Sequence, residues 1–147
     1  MRIGELAHAS GTPIETIRFY EREGLIPVPG RTEGNYRIYT QAHVERLCFI
    51  RQCRTLDMAL DEVRVLLRFK DAPQEDCGEV NALLDEHIGH VAHRIRELQV
   101  LEGQLRVLRA ECPSPHAAKD CGILQGIEVA AGEPGTVPAR RHVRSSH

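Results

Sequence analysis

The chain has 147 residues, enough for one ordinary domain or for a small domain with a non-globular extension. No apolar run approaches the roughly 18 residues that would cross a membrane, and Met1-Arg2-Ile3-Gly4-Glu5 does not open a signal peptide, so a cytoplasmic location without a membrane partner is expected. The net charge of −2 hides an asymmetry: Met1 to Lys70 carries 11 Lys+Arg against 9 Asp+Glu, and the remainder carries 8 against 12. The arginine-rich front is the part suited to nucleic acid.

The first 24 residues read as two short helices. Ile3, Leu6 and Ala7 give the first an apolar face, and Ser10-Gly11 breaks it. Thr12-Pro13-Ile14-Glu15 has the T-x-x-E form of a capping box with proline at the first helical position, and Gly24 supplies a left-handed stop. This is the helix-turn-helix plan, whose second helix can enter a major groove.

Pro27-Val28-Pro29-Gly30 reads as a loop, Glu33-Gly34-Asn35 as a turn, and Tyr36-Arg37-Ile38-Tyr39 as a short strand. A ribbon carrying Arg31, Arg37 and two tyrosines after a helix-turn-helix is a wing. Each tyrosine has a plainer alternative role, packing beneath that wing. Thr40 caps a helix through about Arg54, buried through Val44, Leu47 and Ile50, and another runs from about Leu60 to Phe69. Cys48 and Cys53 on the earlier helix read as small hydrophobes. A winged helix-turn-helix domain over residues 1–70 is expected, followed by an acidic linker over 71–78.

From Glu79 to about Glu111 one helical pattern runs unbroken. Leu84, Ile88, Val91, Ile95, Leu98, Leu101, Leu105 and Leu108 recur in steps of three and four. Their mean spacing is that of a coiled-coil seam. A helix over 79–111 would be about 50 Å long, too long for so small a domain to cover, so a second copy of the chain is the expected cover. The pattern predicts dimerisation; it does not give the direction of pairing. A metal-binding loop and short helix over 112–128, then a mobile tail over 129–147, complete the mostly helical expectation.

Cys112 and Cys121 bracket an eight-residue, two-proline loop after the long helix, and Cys77 stands just before it. A disulfide, a metal site and incidental thiols are the candidates. A reducing compartment and five cysteines, an odd number, argue against a disulfide framework. If two long helices pair antiparallel, Cys77 of one chain meets Cys112 and Cys121 of the other. Three thiolates suit soft divalent ions such as lead, cadmium or mercury. Zinc would want a fourth ligand, from His116 or water. A redox sensor using Cys112 and Cys121 as a reversible disulfide would need no Cys77.

The stretches IGELAHASGTPIETIRFYEREGLI, RTEGNYRIY and QAHVERLCFIRQCRTLDMALDEVRVLL resemble the MerR family of transcriptional regulators. DCGEVNALLDEHI and the CGILQG ending are similar to its lead- and cadmium-responsive branch, and the resemblance covers about residues 1–128. It implies an antiparallel coiled-coil homodimer that represses a promoter without metal. Metal at the dimer end, on Cys77, Cys112 and Cys121, would then distort the DNA so that RNA polymerase engages both promoter elements. Matched positions imply DNA contacts from Thr16, Arg18 and Tyr20 in the helix-turn-helix and from Arg31, Asn35, Tyr36 and Arg37 in the wing. Most of these should grip phosphates. The ligand order also matches the family's mercury sensor, so lead(II) or cadmium(II) is favoured, with mercury(II) or zinc(II) as alternatives.

His87, His90 and His93 recur every three residues on the long helix. With Glu86 and with His142 or His147 they form a candidate second metal site, weighed against a solvated polar face. No nucleophile–base pairing, phosphate loop or HExxH helix appears, so a regulator rather than an enzyme is expected.

Overall fold

The computed structural model describes residues 1–133. They form two compact units, divided between Leu83 and Leu84.

In the first unit, α1 (Ile3–Ser10) and α2 (Ile14–Arg22) are joined by a turn at Gly11. Gly11 adopts φ +66° and Gly24, after α2, adopts φ +72°, both left-handed. At each helix end the chain closes with the long, six-residue backbone bond of a Schellman turn. Thr12 N–H donates to the Ala7 carbonyl at 3.2 Å, and Leu25 N–H donates to the Tyr20 carbonyl at 2.9 Å. Gly11 is favoured by its left-handed φ; a Cβ there would also displace the mobile end of the Arg51 guanidinium, 2.2 Å away.

The expected capping box at α2 is not formed. Thr12 is buried and its hydroxyl donates back to the Ser10 carbonyl at 3.5 Å, while Pro13 itself stands at the cap with ψ 147°. Closing α1 left-handed at Gly11 turns Thr12 inward, away from the first turn of α2.

The wing is a two-stranded antiparallel ribbon, β1 (Gly30–Arg31) with β2 (Arg37–Ile38), in the register Gly30 to Ile38 and Arg31 to Arg37. Asn35 makes the turn with φ 64°, its N–H donating to the Thr32 carbonyl at 2.9 Å. α3 (Gln41–Thr55) follows, then α4 (Leu60–Lys70). His43 closes the α3 N-terminus: Thr40 N–H donates to its Nδ1 at 3.1 Å, and its Nε2 faces the Pro27 carbonyl at 3.1 Å. A carbonyl only accepts, so Nε2 carries the proton, and the ring ties the loop before the wing to α3.

α1 packs on α2 and α3, and α4 packs on α3. Leu6, Ile17, Leu25, Leu47, Ile50 and Val63 are fully buried between them. Truncating Leu47 or Ile50 to alanine should cost about 2–5 kcal/mol, the range for a large aliphatic in a filled core. Cys53 lies in the same core and Cys48 at its edge, as small hydrophobes do.

α5 (Gly78–Ala110) begins in the first unit and continues through the second. Its seam residues Ile88, Val91, Ile95, Leu101 and Leu105 are exposed in the single chain. The second unit continues with the loop, a short 3₁₀ turn η1 (Ala118–Asp120) and α6 (Gly122–Ala131). α6 runs past the expected end at 128, because Val129-Ala130-Ala131 sustain the helix until Gly132. None of the described helices is long and apolar enough to cross a membrane.

Candidate metal centre and nucleic-acid interface

The loop after α5 is fastened at both ends. Arg109 Nη1 donates to the Cys112 carbonyl at 2.7 Å, fastening the end of the helix to the first thiol. At the far side, Gly122 lies against Glu111 so closely that a Cβ would stand 2.3 Å from the Glu111 carbonyl oxygen. Only a glycine lets the loop close this tightly. The closure brings the half-buried thiols of Cys112 and Cys121 close enough to bias each other's protonation.

The two thiols meet different surroundings. Cys121 is the N-cap of α6, and the N–H groups of Leu124 and then Ile123 hold its thiol below the ordinary range, with help from Cys112. Partial desolvation pushes Cys112 up, and its neighbour Cys121 adds to this, against the guanidinium of Arg109. The Cys112 S–H donates to the Ser114 carbonyl at 3.5 Å, so Cys121 is the thiol of the pair held nearer its thiolate.

His116 sits inside the loop with Nδ1 2.8 Å from the Ser114 carbonyl and Nε2 2.7 Å from the Asp120 carbonyl. Those carbonyls raise its affinity for a proton. Its Nδ1 is 3.8 Å from the Cys112 sulfur, but acting as a zinc ligand would require it to give up one of these carbonyls. As placed, it braces the loop.

Cys77 is exposed and occupies the N-terminal cap position of α5, its carbonyl accepting from Asn81 N–H at 3.0 Å. Asp76 Oδ1 accepts from Gly78 N–H at 2.6 Å in the same cap. Two of the three predicted thiols therefore stand at helix N-termini, a feature invisible in the spacing alone. Among the described residues, no group of three or more His, Cys, Asp or Glu side chains gathers to hold an ion within one chain. The loop brings together Cys112 and Cys121 alone of the three cysteines.

The histidines on α5 do not gather either. His87 is buried, whereas His90 and His93 are exposed and face carboxylates one turn away, Glu86 at 3.8 Å and Glu97 at 3.9 Å. His142 and His147 lie outside the described residues.

The front unit presents a concave groove of about 580 Å³ between α2 and the wing. Arg2, Arg18, Arg22, Arg31 and Arg37 line it, with Asn35 and Tyr36. Arg18, Arg31, Asn35, Tyr36 and Arg37 are exposed, as a phosphate-gripping set requires, and Thr16 is half-exposed on α2. Arg31 Nη1 donates to the Asn35 carbonyl at 3.2 Å, so the wing turn orients its own arginine.

Tyr20 departs from this set. It recurs three residues after Ile17 on the buried face of α2 and is only 9 % exposed, and burial raises its phenol against the pull of Arg54. Its ring belongs to the core. The wing tyrosines divide: Tyr39 is fully buried, whereas Tyr36 is 55 % exposed with the Arg2 guanidinium 3.9 Å from its ring centre. Arg2 and Arg22 escaped the sequence reading. Arg22 was legible one turn beyond Arg18 on the same face; Arg2 reaches the groove only through the tertiary fold.

Comparison with known proteins agrees with this geometry. Residues 1–70 match the family described as MerR HTH family regulatory protein, and residues 44–108 match the one described as MerR, DNA binding. A ZntR homolog from Haemophilus influenzae, an HTH-type transcriptional regulator, is 48% identical over 78% of this chain and 84% of its own length. The lead(II) complex of the regulator PbrR691 from Ralstonia metallidurans superposes with a TM-score of 0.77 at 50% identity, covering 86% of this chain and 98% of the other. MerR from Bacillus megaterium in complex with mercury(II) does so with a TM-score of 0.66 at 32% identity, over 87% and 99%. A winged helix-turn-helix head, a long exposed seam and this degree of likeness lead to one conclusion: the chain belongs to the MerR family of helix-turn-helix transcriptional regulators.

Proposed function

We propose that this chain is a homodimeric, metal-responsive regulator of transcription whose effector is lead(II) or cadmium(II). It binds promoter DNA through the groove between α2 and the wing. The ion is held by Cys112 and Cys121 of one chain with Cys77 of the partner subunit. The observation that carries this reading is the tightly closed loop holding Cys112 and Cys121, fastened by Arg109 and Gly122, in a chain 50% identical to a regulator solved with lead(II).

The donor set fits a soft ion. Cys121 is held toward its thiolate by the α6 N-terminus, and Cys112, whose S–H donates to the Ser114 carbonyl, would give up its proton as it ligates the cation. A bound divalent ion supplies positive charge that neutralises thiolates drawn from two chains. An antiparallel pairing of α5 supports the third ligand, because it sets the start of one helix beside the end of the other. The exposed seam from Ile88 to Leu105 supports pairing of two α5 helices, since that much apolar surface is otherwise left in water.

Without metal, the dimer holds its promoter in a repressed form. Metal joins the two chains at each end of the coil and shifts the heads, which bend and untwist the DNA so that RNA polymerase engages both promoter elements. The ligand contributes only the difference in its affinity for the two head arrangements. That difference is spent on DNA deformation, for which a few kcal/mol suffice.

Mercury(II) is the second reading, supported by the likeness to a mercury-bound family member. The test is in vitro transcription from the chain's own promoter, with lead, cadmium, mercury and zinc each set at a calibrated free concentration. Activation by lead or cadmium, lost in Cys77→Ser, is expected. Activation by zinc alone, or activation that survives in Cys77→Ser, would overturn the proposal.

A further inference from the structure

The arginine-lined groove contains one acid, Glu21, placed where a phosphate-binding surface would ordinarily exclude it. Its carboxylate is only 12 % exposed, and both oxygens are engaged from the wing. Arg37 Nη1 donates to Oε2 at 2.5 Å, and the Tyr39 hydroxyl donates to Oε1. Tyr39 in turn packs edge-on against His43, with ring centres 5.2 Å apart, and His43 holds the Pro27 carbonyl. The two-residue strands of the wing are too short to fix its angle by themselves. Glu21 is the α2 side chain that ties both Arg37 and Tyr39 to the helix.

Resting on the groove as the DNA face, we infer that Glu21 is a positioning residue for DNA binding: it locks the wing to α2 and aims Arg37 at the backbone. The sign of its effect separates this role from plain electrostatics. An acid facing phosphates weakens binding by repulsion, so its removal tightens the complex. An acid that positions a cation strengthens binding, so its removal loosens the complex even though the protein becomes more positive.

The experiment measures affinity by fluorescence anisotropy for a duplex enriched from a random-sequence pool by the wild-type dimer. Wild type, Glu21→Ala, Glu21→Gln, Arg18→Ala and Arg31→Ala are compared across a salt series, with thermal melts and dimer mass checked for each. Glu21→Ala should weaken binding about tenfold, the loss of one charge-assisted contact. Its salt slope should become shallower by about one phosphate per head as Arg37 loses its aim. Glu21→Gln keeps an acceptor oxygen and should restore binding to within about threefold of wild type.

Tighter binding by both Glu21 variants would mean repulsion and overturn the inference. If Arg18→Ala and Arg31→Ala weaken binding and Glu21→Ala does not, the inference falls and the interface stands. If the two arginine variants change nothing, the groove is not the DNA face and both fall. Should Glu21→Ala fail to fold, Glu21→Gln in an Arg37→Ala background decides. Positioning predicts that the glutamine's effect shrinks there; repulsion predicts tightening in both backgrounds.

Discussion

Gly122 and Glu111 meet so closely that no side chain fits between them: a Cβ at 122 would stand 2.3 Å from the Glu111 carbonyl oxygen. This contact closes the base of the Cys112–Cys121 loop, and the pairing of the two thiols depends on it. Gly122→Ala should therefore pry the loop open and weaken lead and cadmium binding by at least about tenfold, since realigning soft ligands costs on the scale of lost outer-shell contacts. Chelator-competition titration of the thiolate-to-metal absorption checks this. DNA affinity without metal should be unchanged, because the alteration lies outside the DNA-binding unit.

Thiol chemistry offers a second check. Cys121 is held low by the α6 N-terminus, whereas Cys53 is buried in the core and pushed up by that burial. With metal removed, iodoacetamide near neutral pH should label Cys121 well before Cys53, as read by peptide mass spectrometry. Faster labelling of Cys53 would contradict the placement of both.

Arg46 makes two hydrogen bonds to Asp71, at 2.7 and 2.9 Å, tying α3 to the residue that ends α4. The guanidinium holds the Asp71 carboxyl below its ordinary value. A lowered folded-state value means that the stabilisation is complete above the unfolded value, about 3.9, and is lost as pH falls through the folded one. The carboxylate is 56 % exposed, so solvent screening limits the pair to about 0.5–1 kcal/mol. Asp71→Asn should lower the melting temperature at pH 7 by a few degrees, and the difference from wild type should close toward pH 2–3. A gap that persists in acid would assign the effect to packing instead.

Removing a phosphate-gripping arginine should change salt dependence more than sequence preference. Arg18→Ala or Arg31→Ala should flatten the slope of log affinity against log salt by about 0.9 for each head engaged. Base-pair preferences, read by selection from a random pool, should be kept. Altered preferences would place that arginine on a base edge.

Much of the architecture was legible in the sequence because it is written in local signals. Gly11 and Gly24 announced the ends of α1 and α2, Asn35 announced the wing turn, and the three- and four-residue steps from Leu84 to Leu108 announced α5. Where local rules misled, the tertiary fold had prior use of the residue. Thr12 had the spacing of a capping box, but closure of α1 turned its hydroxyl toward Ser10. Tyr20 entered the DNA-contacting set through the family resemblance alone, while its spacing from Ile17 places the ring in the core.

The site was legible as an inventory and not as a mechanism. Spacing identified Cys112 and Cys121 as a loop pair, but not Gly122 as the residue that closes it or the α6 cap as the source of the low thiol. Arg2 over Tyr36 and the tie from Glu21 to Arg37 and Tyr39 join residues far apart in sequence, and no local pattern encodes them.

The central claim is that each ion is held across two chains, and a mixed dimer tests it most directly. Cys77→Ser chains and Cys112→Ser/Cys121→Ser chains, carrying different affinity tags, are co-expressed and the heterodimer is isolated through both tags. Neither variant homodimer holds a complete triad. In the heterodimer, the intact loop of the Cys77→Ser chain faces the intact Cys77 of the other chain. The account predicts that lead or cadmium titration finds one tight ion per heterodimer, two per wild-type dimer and none per variant homodimer. A heterodimer that binds no tight ion would contradict a site shared between chains.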